Sequence, residues 1–503
     1  MARFLLCFIV SLMLVQGQAQ NWNASSIMQF SKDAFPVAFD TLVHFLRIPN
    51  DSHDSLAIVA NVHWCEKTYR SRGFQVQTIY ESGVPFVLAE WTIDSRLPTV
   101  LFYTQIDGQP VDPTAWHQPD PYQAALKDGN GAILDHALAR TTWNPDWKLY
   151  ARSVSDSKGP AICLLTAIDI LKKYGVHPAF NVKVIMDFQE ELSSPKLPVA
   201  VADHRDLFAA DMLVVMDGAR HVSNMPTLTF GARGIATATL TVFGPKVPLH
   251  SGQYGNFAPN PVFGLARLLA AMKDEDGRVL IPGYYDGIHL TAEEKKLLRE
   301  VPENAQELSH QFGFAEPEKV GDNYQEALQY PTLNVRGLRA AWTGDAVRTI
   351  IPDVALAEMD VRLVPETDGE RLMQSIRQFI LDQGFHLVDG EPTDEERNTF
   401  PKLAAFDYEV GYAAYRTDFD TPIGTWLSSA LTRALGEAPL LMRTTGGSQP
   451  ISPFITALGL PAVSVRIPNP DNNIHSPNEN LRLGNFLEGI ASCVGVLTES
   501  IKQ

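Results

Sequence analysis

Apolar and polar positions along the chain follow two patterns. In the first half, residues 98–106, 181–188 (NVKVIMDF) and 211–217 (DMLVVMD) are short apolar runs rich in β-branched residues. Runs of this kind fit parallel strands buried on both faces. Between the first two, 160-PAICLLTAIDILKKYG-175 places apolar residues at helical spacing, with a proline at its start and a glycine at its end. Strand, helix and strand in that order predict a mostly parallel sheet with helices on both faces. The middle differs. Residues 235–244 (IATATLTVFG) and 355–365 (ALAEMDVRLVP) alternate as half-buried strands do, and 368-DGERLMQSIRQFILDQG-384 reads as an amphipathic helix. Charge-rich 292–308 reads as a solvated helical stretch. Past about residue 405 the first pattern returns, closing on strand 460–467 and helix 482–501.

The fold class expected is therefore α/β: a mostly parallel-sheet catalytic domain interrupted by an inserted α+β lid or dimerisation domain. The expected boundaries are 20–228 and 403–503 for the sheet domain and 229–402 for the insert. A length of 503 residues agrees with more than one core. Composition, 45% hydrophobic and 20% charged, is that of a globular protein, and the net charge of −17 argues against a nucleic-acid partner. In 1-MARFLLCFIVSLMLVQGQAQN-21, Arg3 precedes an apolar run from Phe4 to Val15, followed by small residues Gly17 and Ala19. That reads as a signal peptide over 1–19 and predicts export, periplasmic or extracellular. No segment is long enough for a stable membrane span. Cys65, Cys163 and Cys493 would remain, an odd number with no paired spacing, and Cys163 and Cys493 sit in apolar helical patterns.

Polar residues collect where the predicted strands end. They are Gln105 and Asp107, Asp156, the pair Glu190–Glu191, Asp217, and His475 in an Asn- and Pro-rich loop. Gln105 and Asp107, two apart, face one side of an extended chain. In open α/β sheets ligands bind beyond the carboxyl ends of strands. Carboxylates gathered there with one imidazole describe a divalent-metal site. Two adjacent glutamates suit a division of labour, one holding metal and one moving a proton.

The ordered blocks 107-DGQPVDP-113, 156-DSKGP-160, 190-EELSSP-195, 249-LHSGQYGN-256, 348-RTIIPD-353, 446-GGSQP-450 and 475-HSPNE-479 give the chain a family resemblance. From about residue 35 onward it resembles the zinc metallopeptidases that include carnosinases, aminoacylases, glutamate carboxypeptidases and succinyl-diaminopimelate desuccinylases. The resemblance implies a metal-dependent hydrolase of peptide or amide bonds, with Asp156 bridging two metals, Glu191 and His475 on one, and Asp217 on the other. It makes Glu190 the general base and Asp107 an orienting carboxylate. It gives His250, near Thr349, an oxyanion role in a partner's site, hence a homodimer. It gives Arg362 and Ser448 the free carboxylate of a dipeptide or N-acyl amino acid.

Two positions depart from the family pattern. Ser153 stands where glycine is usual, and Gln105 stands where the second metal's histidine is expected. Three readings follow. Gln105 binds a metal through its amide oxygen, which would admit Mn2+ at that position beside Zn2+. Alternatively one Zn2+ is bound rather than two, or the chain is a catalytically impaired relative that binds peptides or assembles with partners. His117 and His221 are further candidates for a replacement ligand.

Overall fold

The chain is described by a computed structural model over residues 22–501. The apolar run at 98–106 forms the strand Thr99–Gln105, inside an eight-stranded sheet. It pairs in parallel with Asn181–Asp187 on one side and Met212–Val215 on the other, and Ala462–Arg466 continues the parallel set beyond Met212–Val215. These strands are buried on both faces, which is why they lack alternation. The helix Lys158–Lys173 packs with Ala24–Leu46 and Leu483–Thr498, and Pro422–Leu435 packs against those two helices. Ile162, Leu165 and Ile168 of Lys158–Lys173 share a core with Phe102, Val184 and Val214 of the sheet. The opposite face is covered by Leu197–Asp203 and Ser452–Leu458, whose Leu197, Val201 and Phe454 meet Leu101, Ile185 and Val215. The fold is the α/β class expected.

The alternating segments build a second, five-stranded sheet. Gly234–Phe243 lies at its centre, antiparallel to Val354–Leu363 and to Leu403–Val410. Alternate residues Ala236, Ala238, Leu240 and Val242 share a separate core with Ala357, Met359, Val361 and with helix residues Leu265, Leu372 and Ile376. Leu403–Val410 belongs to this sheet and lies past residue 402, where the insert was expected to end. Its first three residues are buried in the manner of a sheet-domain strand, and its alternation appears only afterwards.

Two further differences have local causes. The charged stretch 292–308 is two helices, Ala292–Glu300 and Ala305–Phe312. Pro302 has no N–H to continue the first, and Asn304 caps the second by accepting from Gln306 and Glu307. At the sheet edge the antiparallel pair Gln75–Glu81 and Val84–Trp91 extends the parallel set, an element that the hydrophobic pattern does not announce. Among the described residues no helix is long and apolar enough to cross a membrane. Cys65, Cys163 and Cys493 are buried and unpaired. The expected signal peptide and Cys7 lie outside the described residues.

Candidate metal centre

The three parallel strands that start the sheet deliver their carboxyl ends to one place. Gln105 closes the first and Asp107 follows it. Asp187 closes the second, and a single turn Glu190–Leu192 follows. Val215 closes the third, two residues before Asp217. Both oxygens of the Asp107 carboxylate accept backbone N–H groups, from Glu190 and from Glu191, at 3.1 Å each. Asp107 is thus a clamp on the glutamate pair. Asp187 supports the same turn from below, accepting from Tyr103 Oη at 2.9 Å and from the backbone N–H of Gln189 at 2.9 Å.

Asp156, Glu191 and His475 converge. One ligand atom from each lies within 4.8 Å of the others, although the residues are up to 319 positions apart in the chain. His475 Nε2 sits 3.1 Å from Asp156 Oδ2 and 3.2 Å from Glu191 Oε2. Hydrogen bonds to these two carboxylates push the imidazole up to about 10, so that an imidazolium holds the two acids together. The same two carboxylates and one imidazole, with the proton removed, are ligand types that zinc takes. His475 adopts φ 58°, a left-handed backbone that its Asn- and Pro-rich loop imposes. Burial, then the neighbouring Asp217, Asp156, Glu191 and Asp107, hold the Glu190 carboxyl well above the usual carboxylate range. Glu190 is in the field of the cluster without belonging to the converging trio.

Asp217 is held differently. Its Oδ1 accepts from Ser157 Oγ at 3.0 Å and its Oδ2 from Gln449 Nε2 at 3.0 Å. Gln105 is buried at the end of its strand, and its side-chain nitrogen has no hydrogen-bond partner. Arg362 Nη1 donates to Ser448 Oγ at 2.8 Å, and Arg362 lines a cavity of about 620 Å³ with Arg233, Thr445 and Gly446. His250 is exposed on the lid, where Leu249–His250 pairs with Ile350–Ile351 and so lies next to Thr349. It forms no hydrogen bond or ion pair with the metal trio; its ring instead accepts from Gly252 N–H. His117 and His221 do not join the trio, and His221 is engaged with Glu303 at 3.1 Å.

The geometry adds residues to which sequence reasoning assigned no role. Glu479 is fully buried and collects Arg152, the backbone N–H groups of Ser153, Ser155 and Asp156, and the Ser155 hydroxyl, all within 2.9 Å. It ties the His475 loop to the Asp156 segment, and its place in the HSPNE block is the signal that could have found it. Gln109 donates to Glu191 Oε2 at 2.7 Å. Ser153, in the usual glycine position, has φ 62°, a conformation that favours glycine.

Residues 101–499 match the family described as Peptidase family M20/M25/M40. The chain belongs to this family. It is 27% identical over 428 residues to mouse Beta-Ala-His dipeptidase, covering 83% of this chain and 80% of that protein. It is 26% identical over 417 residues to the Schizosaccharomyces pombe Cys-Gly metallodipeptidase dug1, covering 81% and 80%. The M20 family metallo-carboxypeptidase Sso-CP2 from Sulfolobus solfataricus superposes with a TM-score of 0.75 at 26% identity, covering 92% of this chain and 98% of that one. The chain is a dipeptidase-type metallopeptidase that hydrolyses peptide bonds, with zinc as its metal. The alternative of a catalytically impaired relative draws no support from these matches. The expected export is corrected: nothing in these matches to dipeptidases supports it.

Proposed function

We propose that the substrates are dipeptides or N-acyl amino acids with a free carboxylate, cleaved at Asp156, Glu191 and His475 with Glu190 as general base. The observation that carries this reading is the converging trio with an adjacent glutamate outside it. A bound zinc supplies an acidified water and a polarised scissile carbonyl. Glu190 takes the proton from the attacking water and passes it to the leaving amine. Asp107 fixes Glu190 and Glu191 through their backbone N–H groups, so base and ligand keep a constant relation. Gln109 donates to Glu191 and sets the orientation of that carboxylate.

Arg362 and Ser448 would take the substrate's carboxylate. The guanidinium fork already points one arm at the serine hydroxyl and lines the cavity with its neighbours. The names of the relatives, Beta-Ala-His and Cys-Gly dipeptidases, favour dipeptides as the first substrates to test. His250 and Thr349 form no hydrogen bond or ion pair with the trio, which fits a role in the site of a second copy and hence a homodimer.

The test is a panel of dipeptides and N-acyl amino acids assayed with Glu190→Gln beside the unaltered protein. General acid–base groups contribute about 10²- to 10⁴-fold, so kcat should fall within that range while zinc content stays unchanged. Equal turnover in the variant would remove Glu190 from the role of base.

A further inference from the structure

The second metal position of the family pattern corresponds here to Gln105, Asp156 and Asp217, and in this structure one of the three, Asp217, has both carboxylate oxygens engaged by protein donors. Each accepts a hydrogen bond, from Ser157 Oγ on one side and Gln449 Nε2 on the other. The Gln449 amide is not free to turn. Its oxygen accepts from Tyr415 Oη at 2.8 Å and faces Ser464 Oγ at 3.4 Å, which leaves the NH₂ for Asp217. The Gln449, Tyr415 and Ser464 side chains are buried, so the orientation is set by packing as well as by hydrogen bonding.

Ser157 completes the arrangement. Its hydroxyl oxygen lies 3.0 Å from Asp217 Oδ1 and 3.2 Å from Asp156 Oδ1, so it links the two carboxylates that a second cation would have to share. The third member is Gln105, 1% exposed, whose side-chain nitrogen has no acceptor. An amide offers a cation only its carbonyl oxygen, a harder and weaker donor toward zinc than the neutral imidazole nitrogen expected at this position. Donors on both oxygens do for Asp217 what a second cation does for a ligand carboxylate: they satisfy a buried charge.

We infer that this chain holds a single zinc, at Asp156, Glu191 and His475, and that a Gln449–Asp217–Ser157 hydrogen-bond network with Gln105 stands in place of the second. Asp217 is then a positioning residue and not a ligand. The inference rests on the zinc-peptidase reading above for the identity of the first site, and it concerns only the number of metals and the residues that set it.

The experiment is metal counting on the full chain. Protein saturated with zinc and freed of excess is measured by plasma mass spectrometry and native mass spectrometry, with titration against a zinc-competing dye. The expected result is one zinc per chain and a single binding step. Asp217→Asn should keep that one zinc per chain, with its affinity lowered by no more than the about 10- to 100-fold that loss of an outer-shell partner causes. Gln105→His combined with Gln449→Leu, its folding checked by thermal melting, should bind a second zinc.

Two zincs on the unaltered chain overturn the proposal, as does loss of metal from Asp217→Asn. A folded double variant that stays at one zinc overturns the network as the cause. If the double variant does not fold, the unaltered chain and Asp217→Asn decide alone. The outcomes separate this inference from the functional reading. Two zincs with dipeptide hydrolysis refute the single-metal site and leave the function standing, and one zinc with no hydrolysis on the panel does the reverse.

Discussion

His475 shows how the site stores its charge balance. Its proton is shared with Asp156 and Glu191, and those contacts push the imidazole up to about 10. Zinc needs the unprotonated ring, so binding has to release that proton. The sign follows: below the raised value the proton competes with metal, and the competition weakens as pH rises. Zinc affinity should therefore tighten by at least about tenfold per pH unit between pH 6 and 8, the slope for the one proton that His475 releases, to which Asp156, raised to about 8 by burial, adds. Competition titrations at several pH values measure it, and a flat profile would show that His475 carries no proton to lose. Glu479 gives a second prediction at this scale. Removing its carboxylate in Glu479→Ala strands the buried Arg152 and frees three backbone N–H groups. Breaking a buried pair on one side costs about 3–5 kcal/mol, which denaturant unfolding should register along with loss of zinc retention. A change under about 1 kcal/mol, the median worth of a surface pair, would mean that Glu479 is not the tie between the two segments.

The strands place these residues, and their ends were the legible part of the chain. Thr99–Gln105, Asn181–Asp187 and Met212–Val215 could be read because short, unbroken β-branched runs fit little besides strands buried on both faces. Asp156, Glu191 and His475 could be suspected because they follow such elements, and the structure brings them together. The donors on Asp217 could not be read. Ser157 and Gln449 are ordinary polar residues, and only their approach across 232 positions of sequence gives Gln449 its role. The edge pair Gln75–Glu81 and Val84–Trp91 was missed for a related reason. One strand is polar and exposed at alternate positions, and the other carries a proline near its start. Strand ends also meet here with no room to spare. Gly218, directly after Asp217, has φ 89°, and a Cβ there would lie 1.5 Å from Arg466 Nη1 at the end of the neighbouring strand Ala462–Arg466. Gly218→Ala should cost at least about 1–3 kcal/mol from backbone strain and displace Arg466 from the Asp217 carbonyl it holds. An unchanged unfolding midpoint would contradict that close approach.

At the scale of the whole molecule, a sheet domain holds the trio while the five-stranded sheet carries Arg362 and the lid around it carries His250. Arg362 reaches Ser448 within one chain, and His250 forms no hydrogen bond or ion pair with the trio. A homodimer in which His250 serves the opposite site predicts complementation. Glu190→Gln and His250→Ala proteins, each nearly inactive, should regain about a quarter of the unaltered activity when mixed and allowed to exchange subunits, the share of intact sites under random pairing. No recovery in a mixture shown to contain mixed dimers would place His250 outside the partner's site. The central claim is that this chain hydrolyses dipeptides with zinc bound at Asp156, Glu191 and His475. The most direct measurement is hydrolysis of β-Ala-His and Cys-Gly by the full chain before chelation, after it, and after zinc is returned, with metal content followed throughout. The account predicts activity that falls with the metal and returns with it, and that Glu191→Ala abolishes both. Undiminished hydrolysis by metal-free protein, or none by the zinc-loaded chain on any dipeptide, would contradict it.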